Sequence, residues 1–307
     1  LANIGHYFLQ SIGNSMLAGL VKVVSYALQI GVFSPLFLFA IKVSTTYMKM
    51  GNITASAIVG IGITVLIYMG KFSLKPSFSD LFDKFTPEIK KASFNGIPLV
   101  LSFLVMIIPP VLILQTMTST YKDQSKDIGG VFAVFTQIAT VNTAIPGAFG
   151  QSFLSAGTHA FGSNNMQRLI RLFLWTLLFN GILSLTVSLI VVPGKSFICK
   201  SFLNEPAEIE LAEKMVPIPF YTSPLQGIGM TISFLMITIG KPIFSFIPLL
   251  SQVIILSAGS KILASKFKKD VTKIMYIYNI ADIFVFFLYL CFIFVPIKVI
   301  KDKMKES

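Results

Sequence analysis

Residues 172–194 read LFLWTLLFNGILSLTVSLIVVPG, twenty-three positions without an Asp, Glu, Lys or Arg. A membrane-spanning helix needs about 20 mainly apolar residues, whereas an outer-membrane strand needs about 10 in strict alternation. The leucines here do not alternate. Lipid offers the backbone no hydrogen-bond partner, so a run of this kind satisfies its amides as a helix. Working outward, six more charge-free runs cover 23–41, 52–70, 92–121, 128–167, 215–240 and 242–260. An eighth, 274–297, holds one charge, Asp282. The expectation is an all-α polytopic membrane bundle of about eight transmembrane helices, preceded by a short helical tail over 1–12.

Composition agrees with that expectation. Of the 307 residues, 54% are apolar and only 12% charged, with 29 Phe, and the mean hydropathy is +0.79. Soluble chains carry about 25% charged residues. A water-soluble domain, a disordered chain and a collagen-like fibre are therefore excluded. The net charge of +12 does not indicate nucleic acid, because the cations are spread between apolar runs rather than gathered in one patch. They suit loops and helix ends at a lipid surface, which makes membrane lipids an expected partner. Assigned to alternate sides of eight spans, the 25 Lys and Arg divide 13 against 12, so the positive-inside rule sets no orientation. Cys199 and Cys291 have neither metal-ligand nor disulfide-framework spacing.

Punctuation falls at Gly51-Asn52, Gly129-Gly130, Pro193-Gly194 and Gly240-Lys241-Pro242. The longest polar links are 71–91 and 195–214. These divide the chain into 1–70, an end of one helix plus two spans; a linker, 71–91; and a lobe of six spans, 92–307. An internal echo at an offset of 227 pairs Tyr7 with Phe234, Phe8 with Leu235, Ser11 with Thr238, Ile12 with Ile239 and Gly13 with Gly240. It fits a transporter of two similar halves, with the start of the first half missing.

Charges inside a bilayer are costly and usually functional. Asp282 is the one acid well inside a span: a cation-responsive carboxylate, a packing hydrogen-bonder, or a group solvated by water and Lys273 near an interface. Among the uncharged polar residues of the spans, Gln115, Gln137 and Asn142 are the foremost candidates for a substrate pathway; Gln29, Asn180 and Gln226 are others. Pro109, Pro110 and Pro146 lie inside spans and are expected to bend their helices, Pro146-Gly147 breaking the longest run. Arg168 and Arg171, three apart on one helix face, suit lipid phosphate. His159 falls at an expected turn after its span. No paired aspartates, Ser–His couple or zinc helix is present, so an enzyme is not expected. No cofactor or metal is expected either.

Three segments resemble the multidrug and toxic compound extrusion (MATE) family. Phe94-Asn-Gly-Ile-Pro-Leu-Val-Leu is similar to the opening of that family's seventh helix. Asn142-Thr-Ala-Ile-Pro-Gly-Ala-Phe-Gly-Gln-Ser, with His159-Ala-Phe-Gly-Ser-Asn-Asn-Met-Gln-Arg-Leu-Ile-Arg, resembles the eighth helix and its exit. Tyr278-Asn-Ile-Ala-Asp-Ile-Phe-Val-Phe resembles the start of the last helix. Order and spacing carry the likeness, which extends over helices five to twelve. It implies twelve helices in two pseudo-symmetric lobes forming an inverted V, with alternating access. It implies export of organic, often cationic, xenobiotic compounds against an H+ or Na+ gradient. It also implies that the 71–91 linker and the C-terminus face the cytoplasm. The chain departs from the pattern in one respect. Acids that serve coupling in the family's fifth and seventh helices are absent, and Ser34 precedes a proline where relatives often carry Asp. The alternatives are a flippase for lipid-linked oligosaccharides from the same superfamily, whose cavity should be basic, or a truncated bundle that transports nothing.

Overall fold

The computed structural model describes residues 15–28, 48–71, 108–268 and 270–306, together with positions 9, 32, 33, 36, 86, 87, 90 and 94. The side chains of Lys22, Val141 and Ile145 fall outside the description, as do most of the 1–12 tail with its side of the echo, Gln29, Ser34 and 95–107. The chain separates into two compact units, Leu1–Thr86 and Pro87–Ser307. The boundary lies within 71–91.

In the first unit, α1 (Ser15–Leu28) packs against α2 (Met48–Tyr68). Gly51-Asn52 does not interrupt the chain, because both residues lie inside α2. α2 stops instead at Gly70, where φ is +68°. The Lys71 amide reaches back to the Leu66 carbonyl at 3.2 Å, the six-to-one bond of a Schellman end that a glycine makes easy.

The second unit begins, among the described residues, with helical positions 108–120 (α3). Then come α4 (Ser125–Gly162), α5 (Met166–Val191), α6 (Lys195–Phe202), α7 (Pro206–Met215), α8 (Ser223–Thr238), α9 (Ile243–Lys266), α10 (Tyr276–Phe292) and α11 (Phe294–Glu306). Single turns of 3-10 helix, Ile218–Thr222 and Val271–Met275, lead into α8 and α10. Among the described residues four stretches are long and apolar enough to cross a membrane: Lys122–Gly162, Met166–Val191, Ile243–Lys266 and Val271–Lys305. Thr54–Tyr68 is a shorter apolar helix.

Several expected boundaries move. Gly129-Gly130 and Pro146 are all interior to the 38-residue α4. Membrane helices tolerate a proline when packing against neighbours holds the helix on both sides of it; here α5 supplies one such tie, the Asn180 amide standing 3.4 Å from the Pro146 carbonyl. His159 likewise lies within α4 rather than at a turn. The true exit is Asn164, at φ +58°, with Asn165 N bonded to the Ala160 carbonyl at 2.9 Å. The Asn165 side chain then caps α5 by accepting from the Arg168 amide at 3.0 Å. Gly240, at φ +73°, closes α8 as expected. The 215–240 run is not one helix: it opens on the end of α7 at Met215 and passes through the turn Ile218–Thr222, with Pro217 and Pro219 in or beside it, before α8 begins at Ser223.

The 195–214 link is not open loop. α6 and α7 pack on each other, and α7 rests on α4. Three carboxylates, Asp127 on α4 with Glu205 and Glu208 at the start of α7, gather within 4.8 Å of one another, near helix N-termini that favour negative charge. Cys199 is wholly buried. Burial pushes its thiol up, and the nearby Glu213 carboxylate adds to the shift. The thiolate is the reactive form, so Cys199 should alkylate at least tenfold more slowly than a free cysteine at neutral pH. Timed iodoacetamide labelling, read by peptide mass before and after denaturation, checks this.

Two apolar clusters organise the unit. One gathers Ile113, Phe135, Phe220, Met275 and their neighbours. The other gathers Phe153, Leu169, Phe234, Val285 and Tyr289. Between them runs a polar seam.

Candidate functional site

The seam opens into a cavity of about 220 Å3. α4 contributes Phe135 and Asn142, the turn before α8 contributes Phe220, and α8 contributes Gln226 and Met230. Gln252 comes from α9, and Tyr278, Asp282 and Tyr289 come from α10. Pro110 of α3 closes one wall. Members of both apolar clusters therefore line it.

Among the described residues, Asp282 is the only Asp, Glu, Lys, Arg or His in the lining. It is buried and accepts a hydrogen bond from the Thr222 hydroxyl at 2.8 Å. The start of α10 packs against the 3-10 turn Ile218–Thr222, which is how two residues sixty apart meet. The expected solvation by Lys273 is not found. Lys273 lies over the Tyr276 ring, 5.7 Å from its centroid. It is also nine positions before Asp282, about 13 Å along a helical path. One turn before Asp282 is Tyr278, whose hydroxyl is buried without a protein partner among the described residues.

Asn142 is at the centre of the polar seam. Its amide donates to Gln226 Oε1 at 3.0 Å, and its Oδ1 accepts from the Ser223 hydroxyl at 2.6 Å. The Ser184 carbonyl also lies 3.1 Å from that hydroxyl. Pro146 has no N–H, so the Asn142 carbonyl lacks its donor one turn on; the distortion falls at the cavity wall. Deeper in, the Asn180 amide donates to the Thr231 hydroxyl at 2.8 Å. α4, α5 and α8 are thus tied together by side-chain amides.

Of the residues expected from sequence, Asp282, Asn142 and Pro110 are brought to one cavity. Pro109 and Pro146 are buried beside it. Gln115 and Gln137 are exposed and absent from the lining. Gln137 is five positions before Asn142, half a turn off its face of α4. Thr222, Ser223, Tyr278 and Gln252 escaped sequence reading. Tyr278 had a legible signal, since it precedes Asp282 by four and so shares its helix face. Thr222 had none, because its role comes from packing between distant segments.

Comparison with known proteins identifies the architecture. The MatE family model matches residues 98–263, more than half of the chain. Solved structures match over nearly its whole length. A MATE crystal structure in complex with MaL6 superposes with a TM-score of 0.82 at 15% identity, covering 99% of this chain and 67% of that one. A MOP superfamily transporter from Pyrococcus furiosus gives 0.80 at 17% identity, with 98% and 66% covered. An outward-facing multidrug resistance MATE family transporter gives 0.79 at 16%, with 100% and 67% covered. This chain thus spans about two-thirds of their length. No curated protein matches. The apolar helices and this fold make it an integral, multi-pass membrane protein, and with its family model matched over more than half its length, the chain belongs to the MatE family.

Proposed function

We propose that the chain is part of a secondary transporter that exports organic compounds, cationic ones foremost, in exchange for H+ or Na+. The observation that carries this reading is the cavity of the second unit: aromatic side chains and Met230 around one buried carboxylate. An apolar wall accepts many organic shapes, and Met and aromatic side chains adapt to them. A lone acid in such a place gives a cation, whether substrate or coupling ion, its one strong partner. Tyr278 adds an uncommitted hydroxyl. The flippase reading calls for basic groups to meet phosphates, and among the described residues no Lys or Arg is in the lining.

The test is reconstitution of the protein in liposomes loaded with a fluorescent organic cation. An imposed inward H+ gradient, and separately a Na+ gradient, is expected to speed efflux severalfold over gradient-free vesicles with one of the two ions. Efflux indifferent to both gradients overturns the proposal.

A further inference from the structure

We infer that the outer face of the first half of α5 is a binding site for an anionic phospholipid, its phosphate held by Arg171 and Arg168 and an acyl chain lying over Leu174, Trp175 and Leu178. A shallow groove runs along this helix, formed by Gln167, Ile170, Arg171, Leu174, Trp175 and Leu178. Positions 167, 171, 174 and 178 follow three- and four-residue steps, so they share one face. The face is polar and cationic at its start and purely apolar further on, which is the layout of a phospholipid.

Three observations favour that occupant. First, both arginines are exposed, and neither guanidinium has a carboxylate partner among the described residues; the ion pairs found there are Lys126–Glu205 and Lys214–Glu210. A guanidinium near the head of a membrane-spanning helix matches phosphate in bidentate fashion. Second, Trp175 is one turn beyond Arg171, about 6 Å along the axis, and is 54% exposed, between Leu174 at 56% and Leu178 at 51%. Its ring stacks on Phe179, which stacks on Phe149. The indole therefore stands on an aromatic shelf facing outward, four positions into the charge-free run that begins at 172, and a Trp near the end of a span is a usual interfacial anchor. Third, the neighbouring surface has an excess of the same charge, with Asp302 the exposed acid among its lysines. α11 packs beside α5, with Val299 and Ile300 against the cluster that holds Leu169. Its Lys298, Lys301 and Lys305 remain exposed, while Lys303 is tied to the Phe161 carbonyl at 3.1 Å. Juxtamembrane cations of this kind attract anionic headgroups.

Trp175 is the single tryptophan of the chain, so its fluorescence reports on this groove directly. The purified protein in detergent micelles would be titrated with dibrominated phosphatidylglycerol and, separately, dibrominated phosphatidylcholine, with Trp175→Phe subtracting any other emission. Saturable quenching at about tenfold lower concentration of the anionic lipid is expected. That preference should vanish in the double variant Arg168→Gln/Arg171→Gln and survive in part in Arg168→Lys/Arg171→Lys. Raising salt from 50 to 500 mM should weaken the anionic lipid selectively in the wild type, a readout that needs no variant. Equal quenching by the two lipids, or an unchanged preference in the Gln double variant, overturns the assignment.

Discussion

Asp282→Asn is expected to lower gradient-driven efflux of an organic cation at least tenfold while leaving the protein folded. Asn keeps the shape of the side chain and an oxygen that accepts from Thr222, now at 2.8 Å. What it removes is the negative charge, the only formal charge among the described lining residues. Hydrogen bonds to charged groups contribute about 1.5–3 kcal/mol, and each ~1.4 kcal/mol is a factor of ten, so a loss of ten- to hundredfold follows. Thermal stability in detergent should change by no more than a few degrees, because a buried charge is itself costly and its removal offsets the weaker bond. Full efflux in Asp282→Asn would make the carboxylate a packing group. The reading of the cavity as a cation site would then fall, whereas the membrane fold would stand. Asp282→Leu separates the two effects, since it deletes the acceptor as well and leaves Thr222 with only the Pro219 carbonyl at 3.5 Å. That variant should lose stability in addition to transport.

The second large effect lies where α8 crosses α5. A methyl group placed on Gly227 meets the Ser184 hydroxyl oxygen at 2.3 Å and the Asn180 backbone carbonyl at 3.0 Å. Backbone cannot turn aside, so a side chain here pushes the helices apart. Close approach at small residues is how membrane helices pack, since lipid gives no hydrophobic drive between them. Overpacking of this kind costs about 1–3 kcal/mol for small additions. Gly227→Val should therefore reduce the yield of monodisperse protein severalfold and lower its midpoint of heat-induced aggregation. Separation would also pull Asn180 from Thr231 and Ser223 from Asn142, so the polar seam is lost with the packing. A milder pair tests the cause. Ser184 Oγ has no hydrogen-bond partner among the described residues, so Ser184→Ala should be nearly neutral alone. It should recover part of the loss in Gly227→Ala by removing the nearest atom in the way. Equal stability of wild type and Gly227→Val, measured by size-exclusion after heating, would refute the tight crossing.

Charge-free runs of membrane length, absent alternation and low charge determined an all-α, multi-pass membrane bundle, because lipid permits the backbone so few alternatives. Motif order and spacing carried the family. Asp282 was legible for a similar reason: a lone carboxylate in an apolar run is conspicuous. Asn142 was legible only as one polar residue among several. Helix boundaries were less so. Gly129-Gly130 and Pro146 read as breaks, yet α4 continues through them, because its neighbours on α5, α7 and α8 hold it on both sides of the proline. The exit at Gly162-Ser-Asn-Asn was legible as a segment, but that the left-handed residue is Asn164 was not, because Gly162 and both asparagines can adopt that conformation.

The cavity itself belonged to tertiary structure alone. Gln115 and Gln137 were chemically as good as Asn142, and what distinguishes them is the rotation of each helix about its axis. That rotation is set by how each helix packs on its neighbours, not by the residues' own type. Thr222 meets Asp282 because the 3-10 turn before α8 lies against the start of α10. A hydrogen bond is short-ranged and directional, so a pair sixty residues apart in sequence leaves no periodic trace. Local patterning determined that this chain lives in a membrane and in what form; the crossing of its helices decided which of its few polar groups face a common space.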